Sequence, residues 1–168
     1  MENTWENYNV NSMRHKNWDY SNSGWYFITI CTQSRINYFA KINNQKIQIN
    51  KILEIVDNYW KEIPIHFPFI ELGEYIIMPN HIHGLLFINN QKYESRIPHN
   101  VNNISPKKGS ISSVIRSFKG IVTKSIRQID NNFKWQSGYY DVIIKDEISR
   151  LIIEQYIKEN PEKWINSH

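Results

Sequence analysis

Two apolar runs stand close together in the middle of the chain, FIELGEYII at 69–77 and IHGLLFI at 82–88, with only MPNH between them. Each reads as a strand, and the Pro-Asn pair between them favours a turn. Two strands on so short a link predict an antiparallel hairpin. A hairpin with apolar faces needs other elements to cover it, and this limits the architectures open to the rest of the chain.

The flanking segments supply those elements. WYFITICTQ at 25–33 is β-branched and aromatic and predicts another strand. Ile49, Ile52, Leu53, Val56, Tyr59 and Trp60 recur at helical spacing, so a helix is expected to end near Ile63, before Pro64. A second helix is expected at about 111–129, with Ile111, Val114, Ile115, Phe118, Val122 and Ile129 on its apolar face. FKWQSGYYDVIIK at 133–145 reads as a strand region broken at Ser137-Gly138. A last helix at about 147–160 carries Ile148, Leu151, Ile152, Tyr156 and Ile157, with Pro161 as its limit. The order β-α-β-β-α-β-α predicts an α+β fold. It is a ferredoxin-like sandwich: a mainly antiparallel sheet with helices on one face, plus a C-terminal helix. Residues 1–13 are polar and Asn-rich and read as a tail; 14–168 read as a single domain, with 89–110 as a surface loop.

The chain has 168 residues and a formal net charge of +4, a modest excess that fits a polyanionic partner without singling one out. Its single cysteine, Cys31, excludes an internal disulfide framework and any Cys-rich zinc site, and points to a reducing, cytoplasmic setting. No apolar stretch is long enough to span a membrane, and the N-terminal residues lack the apolar core of a signal peptide.

The chemistry sits at the start of the second hairpin strand. His81 and His83 flank Ile82, and alternate residues of a strand leave the same face. Two imidazoles so placed can grip one divalent ion, although a His-x-His pair by itself is equally an ordinary pair of surface or core residues. A third ligand must come from elsewhere. The last helix offers Tyr156 and Asn160, four residues apart and therefore on one face. A tyrosine hydroxyl can attack phosphorus and form a covalent phosphotyrosine. An asparagine offers a neutral oxygen to a hard cation. Equally, Tyr156 continues an apolar stripe, and Asn160 precedes a proline as a helix terminator would. Tyr139 and Tyr140 compete for the nucleophile's role, and residue chemistry alone leaves the three tyrosines open.

Cationic residues recur along the second helix as Arg116, Lys119 and Arg127, preceded by Lys107 and Lys108. They form a candidate track for a phosphate backbone, or else a solvated helix face. Arg14, Lys16, Trp18 and Tyr20 mix charge with rings that could stack on bases or pack.

Five segments in order carry a family likeness: RHKNWDYSNSGWYFITICTQ at 14–33, MPNHIHGLLFI at 78–88, SSVIRSFKGIVT at 112–123, WQSGYYD at 135–141 and YIKENPEKW at 156–164. With them the chain resembles the REP-associated tyrosine transposases, a branch of the single-tyrosine HUH transposases. The resemblance implies that His81, His83 and Asn160 hold Mg or Mn, and that Tyr156 is the nucleophile. It favours DNA at the N-terminal group, so Arg14 joins Lys107, Lys108, Arg116, Lys119 and Arg127 as a candidate for DNA contact. The substrate implied is single-stranded or hairpin DNA, nicked and rejoined through a 5′-phosphotyrosine by a monomer or homodimer. One position departs from the pattern: Val142 stands where the family often has histidine. Two other readings compete, a domesticated hairpin-DNA-binding protein without cleavage activity and an unrelated metal hydrolase whose nucleophile is water.

Overall fold

The computed structural model describes residues 18–43, 46–89 and 109–167. Its centre is a four-stranded antiparallel sheet. We label its strands β1 (Gly24–Cys31), β4 (Ile70–Met78), β5 (His81–Ile88) and β6 (Tyr140–Ile144), in the spatial order β4-β5-β1-β6. The helices are α1 (Lys51–Lys61), the single turn α2 (Ile63–His66), α3 (Ile111–Ile126) and α4 (Glu147–Ser167). A separate two-stranded ladder, β2 (Ala40–Asn43) and β3 (Lys46–Ile49), precedes α1 and was not expected from the sequence. The fold is α+β, and the strand order is that of the ferredoxin-like βαββαβ pattern.

Strand alternation divides the core. Tyr26, Ile28 and Ile30 of β1 and Ile82, Leu86 and Ile88 of β5 face α1 and α3, which bury Val56, Trp60, Val114, Phe118 and Val122 against them. The opposite face carries Leu85 and Ile144, covered by Ile153 and Ile157 of α4. The predicted helix pair therefore lies on one face and the C-terminal helix on the other.

Local chemistry sets the helix starts. The Asn50 side chain accepts from Leu53 N at 2.9 Å to cap α1, and Ser110 Oγ accepts from Ser113 N at 3.3 Å to cap α3. Asp146 accepts from Ser149 N at 2.8 Å and Ser149 Oγ at 2.9 Å at the head of α4, and these bonds hold its carboxyl below the usual range. Arg150, bonded to Glu147 and Glu154, braces the exposed side of that helix.

Five expectations are corrected. Helix α3 ends at Ile126, which is buried, and Ile129 lies beyond it at 50% exposure. The strand expected over 133–145 is regular only from Tyr140 to Ile144; before it Trp135 makes one bridge, to Thr32. Pro64 falls in the first turn of α2, where no backbone N–H is needed, so the chain coils again rather than leaving the helix. Pro161 lies inside α4 and does not end it. On the same helix Ile148, Leu151 and Ile152 are 72%, 52% and 55% exposed; Ile153 and Ile157 do the burying. The predicted loop 89–110 falls mostly outside the described residues, as do 1–13. Among the described residues no helix is long and apolar enough to cross a membrane.

Gly84 of the hairpin is fixed by close approach. A Cβ there would lie 2.3 Å from Cζ2 of Trp60, the largest fully buried side chain among the described residues, which rises from α1 onto β5. Gly84→Ala is expected to destabilise the protein by about 1–3 kcal/mol through overpacking, and Trp60→Phe in the same background should recover part of the loss. Urea titrations of the three proteins check this; an unchanged midpoint in Gly84→Ala would contradict the packing described.

Candidate functional site

The hairpin turn is Pro79-Asn80, with Met78 paired to His81 across it. It does not hang free. Thr32 N donates to Asn80 O and Phe39 N to Pro79 O, both at 2.9 Å, and Thr32 Oγ1 also donates to Asn80 O at 3.0 Å. The Asn80 amide completes the clamp: its Nδ2 donates to Arg35 O and to Asn37 Oδ1, each at 3.0 Å. Ser34 and Arg35 both sit at φ 54°, a left-handed conformation costing about 1–2 kcal/mol per non-glycine residue. Asn80 holds the Arg35 carbonyl in that strained turn.

His81 follows directly. With both Nδ2 donations in place, Asn80 Oδ1 faces His81 Nδ1 at 2.8 Å. An amide oxygen only accepts, so the ring proton belongs on Nδ1 and the lone pair on Nε2. His83, two residues on and on the same sheet face, has Nδ1 at 2.8 Å from Thr29 Oγ1 of the neighbouring strand. The two imidazole centroids are 4.5 Å apart. Both side chains are buried, His81 at 4% and His83 at 8% exposure. Burial, then His83 and Arg35, pushes His81 well below the ordinary histidine value; burial, then Arg35, takes His83 down to about 3. At neutral pH both rings are uncharged bases.

Helix α4 closes over them from one side. The Tyr156 ring lies 5.5 Å from that of His83, and Trp164 lies 5.4 Å from His81. Phe27 of β1 stacks on His83 at 5.3 Å and meets the Tyr156 ring edge-on at 6.1 Å. Lys163 Nζ stands 5.7 Å from the Tyr156 centroid and pairs with Glu159 at 2.8 Å. Asn160 is one helical turn from Tyr156 and one from Trp164, on the face that both use. It is 7% exposed. Among the described residues no group of three His, Cys, Asp or Glu side chains stands together as a metal site.

The rival tyrosines are placed elsewhere. Tyr139 lies on the α3 side of the sheet, its hydroxyl 2.9 Å from Ser112 Oγ. Tyr140 shares the histidines' face but sits across Thr29, two strands away from His83, and its hydroxyl accepts from Gln136 Nε2 at 2.8 Å. Val142 is partly exposed on edge strand β6.

The cationic residues of α3 lie on the far side of the sheet from the histidines. Arg116 and Arg127 are exposed, and Arg127 Nε reaches Phe133 O at 3.2 Å. Lys119 has a structural task that the sequence did not disclose. Its ammonium donates to Gln136 O and Gly138 O, both at 2.7 Å, and burial lowers its pKa. Two of its three donors are thus committed. Arg14, Lys107 and Lys108 fall outside the described residues. Sequence reasoning missed Thr29, Asn80, Lys163 and Trp164. The first is the one threonine of strand β1, and the second was read only as a turn residue.

No protein-family profile matches the chain. An uncharacterized protein of Haemophilus influenzae is 40% identical over 159 residues, covering 91% of this chain and 88% of that one. Among solved structures, that of a REP-associated tyrosine transposase bound to a REP hairpin aligns over 90% of this chain and 74% of its own, with a TM-score of 0.61 at 16% identity.

The depressed histidines give a signed prediction for the metal-free protein. Between pH 6.5 and about 3 the unfolded chain takes up a proton at His83 that the folded chain refuses. Stability should therefore be full above about pH 6.5 and fall as pH drops through that window. Urea midpoints measured in EDTA at a series of pH values check it, and His83→Gln should flatten the slope. The chain belongs to one family with the Haemophilus influenzae protein, and its fold is that of a REP-associated tyrosine transposase.

Proposed function

We propose that this protein is a transposase-type enzyme that nicks and rejoins single-stranded DNA, with Tyr156 as nucleophile and Mg or Mn held by His81, His83 and Asn160. One observation carries the reading. A single helix lays Tyr156 on His83 and Trp164 on His81, with the buried Asn160 amide between those two contacts. The shared fold supports it, and the solved relative's bound REP hairpin makes hairpin-containing DNA the substrate to try first.

A bound divalent ion would supply Lewis-acid neutralisation of a nonbridging phosphate oxygen. The chain's own residues do the rest. Asn80 fixes His81 with its Nε2 lone pair available, and Thr29 orients His83. Two imidazoles and an amide bring no negative charge, so a cation's full charge would remain for the phosphate. The Tyr156 phenol attacks phosphorus: its O–P bond forms and the P–O3′ bond breaks. The phenolic proton is balanced by the one gained by the leaving 3′-oxygen. The product is a 5′-phosphotyrosine and a free 3′-hydroxyl. Another 3′-hydroxyl reverses the step onto a new strand, and the bond energy is conserved in the phosphotyrosine. The Lys163 cation above the ring favours charge growing on the phenol. Phe27 edge-on limits the ring's swing.

Two measurements test this. Tyr156→Phe should abolish covalent attachment to a single-stranded oligonucleotide from the gene's flanks in Mn, read on a denaturing gel, while DNA binding and folding survive. Attachment that persists in the variant would remove Tyr156 from the role. A stable DNA complex that the wild type never cleaves would favour a binding protein. Asn80→Ala should weaken Mn affinity roughly 10–100-fold, because the ring orientation and tautomer of His81 are no longer fixed. Calorimetry on the purified protein reads this directly, and unchanged affinity would contradict the role given to Asn80.

A further inference from the structure

On the α3 side of β6 lies a cavity of about 520 Å³ that the nicking chemistry does not use. Trp18, Tyr20, Tyr139 and Ile115 wall it, with Arg116 and Lys119 among its lining. Three aromatic rings around one space could be mere packing, but two features argue against that. The first is how two of the rings are held. Trp18 Nε1 donates to Tyr26 OH at 3.1 Å, and Tyr26 OH passes its own proton to Asn22 O at 2.9 Å. The Tyr139 hydroxyl is tied to Ser112 Oγ at 2.9 Å. The polar end of each ring is anchored in protein, so the part available to the cavity is apolar. The wall behind Tyr139 is rigid as well, because Lys119 clasps the carbonyls of Gln136 and Gly138 across a turn in which Gly138 sits at φ 70°.

The second feature is charge. Arg116 is exposed and forms no ion pair or hydrogen bond among the described residues. Lys119 keeps one donor beyond its two carbonyl bonds. The carboxylate at the cavity, Asp19, is engaged by Ser21 N at 3.0 Å and Ser21 Oγ at 2.6 Å. The space thus offers apolar planar walls and two cations against the single Asp19 carboxylate, whose charge the neutral Ser21 donors leave in place. A ligand that matches is flat, aromatic and attached to an anion, which describes a nucleotide.

Its position adds to this. Tyr139 and Tyr140 are adjacent at the start of edge strand β6. Tyr139 lines the cavity, and Tyr140 lies on the face that carries His83. A strand passing round that edge meets the cavity on one side and the histidine pair on the other.

We propose that this cavity receives an unpaired nucleobase of single-stranded DNA, stacked on the rings of Trp18 and Tyr139, while Arg116 takes the attached phosphate. The proposal rests on the reading of the protein as one that acts on single-stranded DNA, but not on its cleaving it. The test is therefore run in the Tyr156→Phe background in EDTA, where cleavage plays no part. A single-stranded oligonucleotide from the gene's flanks is prepared as a set of versions, each lacking one base and keeping its phosphate. Loss of the base that occupies the cavity should weaken binding about tenfold, as expected for one stacked base. In Trp18→Ala and Tyr139→Ala that positional penalty should vanish, because the stacking is already gone. Arg116→Ala, an exposed change that leaves the walls intact, should weaken every version of the oligonucleotide alike and keep the positional penalty. Thermal unfolding identifies any wall variant that fails to fold, and Arg116→Ala together with the wild-type scan then decides. Binding with no sensitive position, or a positional penalty unchanged in folded wall variants, would overturn the proposal and leave the DNA reading standing. An oligonucleotide that does not bind at all overturns both.

Discussion

The side-chain amide of Asn80 is the contact on which the site depends. It bonds the carbonyl of a left-handed turn, a neighbouring asparagine and the imidazole of His81. Each bond removes a freedom. The strained pair Ser34-Arg35 would relax without a donor for its carbonyl, and the hairpin tip would lose its register against the chain from Thr32 to Phe39. Once the tip is fixed, strand alternation does the rest. His81 and His83 leave one face, Ile82 the other, and the ladder to β1 brings Thr29 opposite His83. One amide thus sets both the place and the protonation of the first histidine.

The sheet separates two kinds of environment. On the α4 face, burial keeps two imidazoles neutral beside the buried Asn160. On the α3 face, cations and anchored rings surround an open space. A negatively charged strand is drawn toward the second environment by long-range attraction. The two imidazoles and the Asn160 amide of the first carry no charge of their own. On the proposed reading, binding and chemistry would be separable tasks, with β6 as the boundary between them.

The elements that cover a sheet were legible in the sequence, because burying one face imposes a period that survives tertiary context. The hairpin, α1, α3 and the facing of the His pair all follow from that rule. Misreadings arose where contacts distant in sequence outweigh local pattern. Ile148, Leu151 and Ile152 have helical spacing but point away from the sheet, because Ile153 and Ile157 take the buried line. Lys119 reads as a surface cation, yet two carbonyls 17 and 19 residues further along the chain claim it. Thr29 and Asn80 could not be chosen as partners of the histidines before the register between β1 and β5 was known. The ladder of β2 and β3 is four residues a side, too short for alternation to announce it.

Pro161 shows how strongly the site shapes its surroundings. A proline inside a helix removes one backbone bond, here to the Ile157 carbonyl, and costs about 3 kcal/mol or more in an isolated helix. Local preference alone would end α4 at Asn160. Helix α4 runs on to Ser167 instead, and the turns after the proline bring Lys163 over Tyr156 and Trp164 against His81. Packing of that indole on a buried ring offsets part of what the proline removes. The extension has a consequence for access. Had the helix stopped at Pro161, His81 would be open to water on the side that Trp164 now covers, and its pKa would rise toward the ordinary value. The last turns of α4 therefore keep the histidine pair dry, and hence neutral.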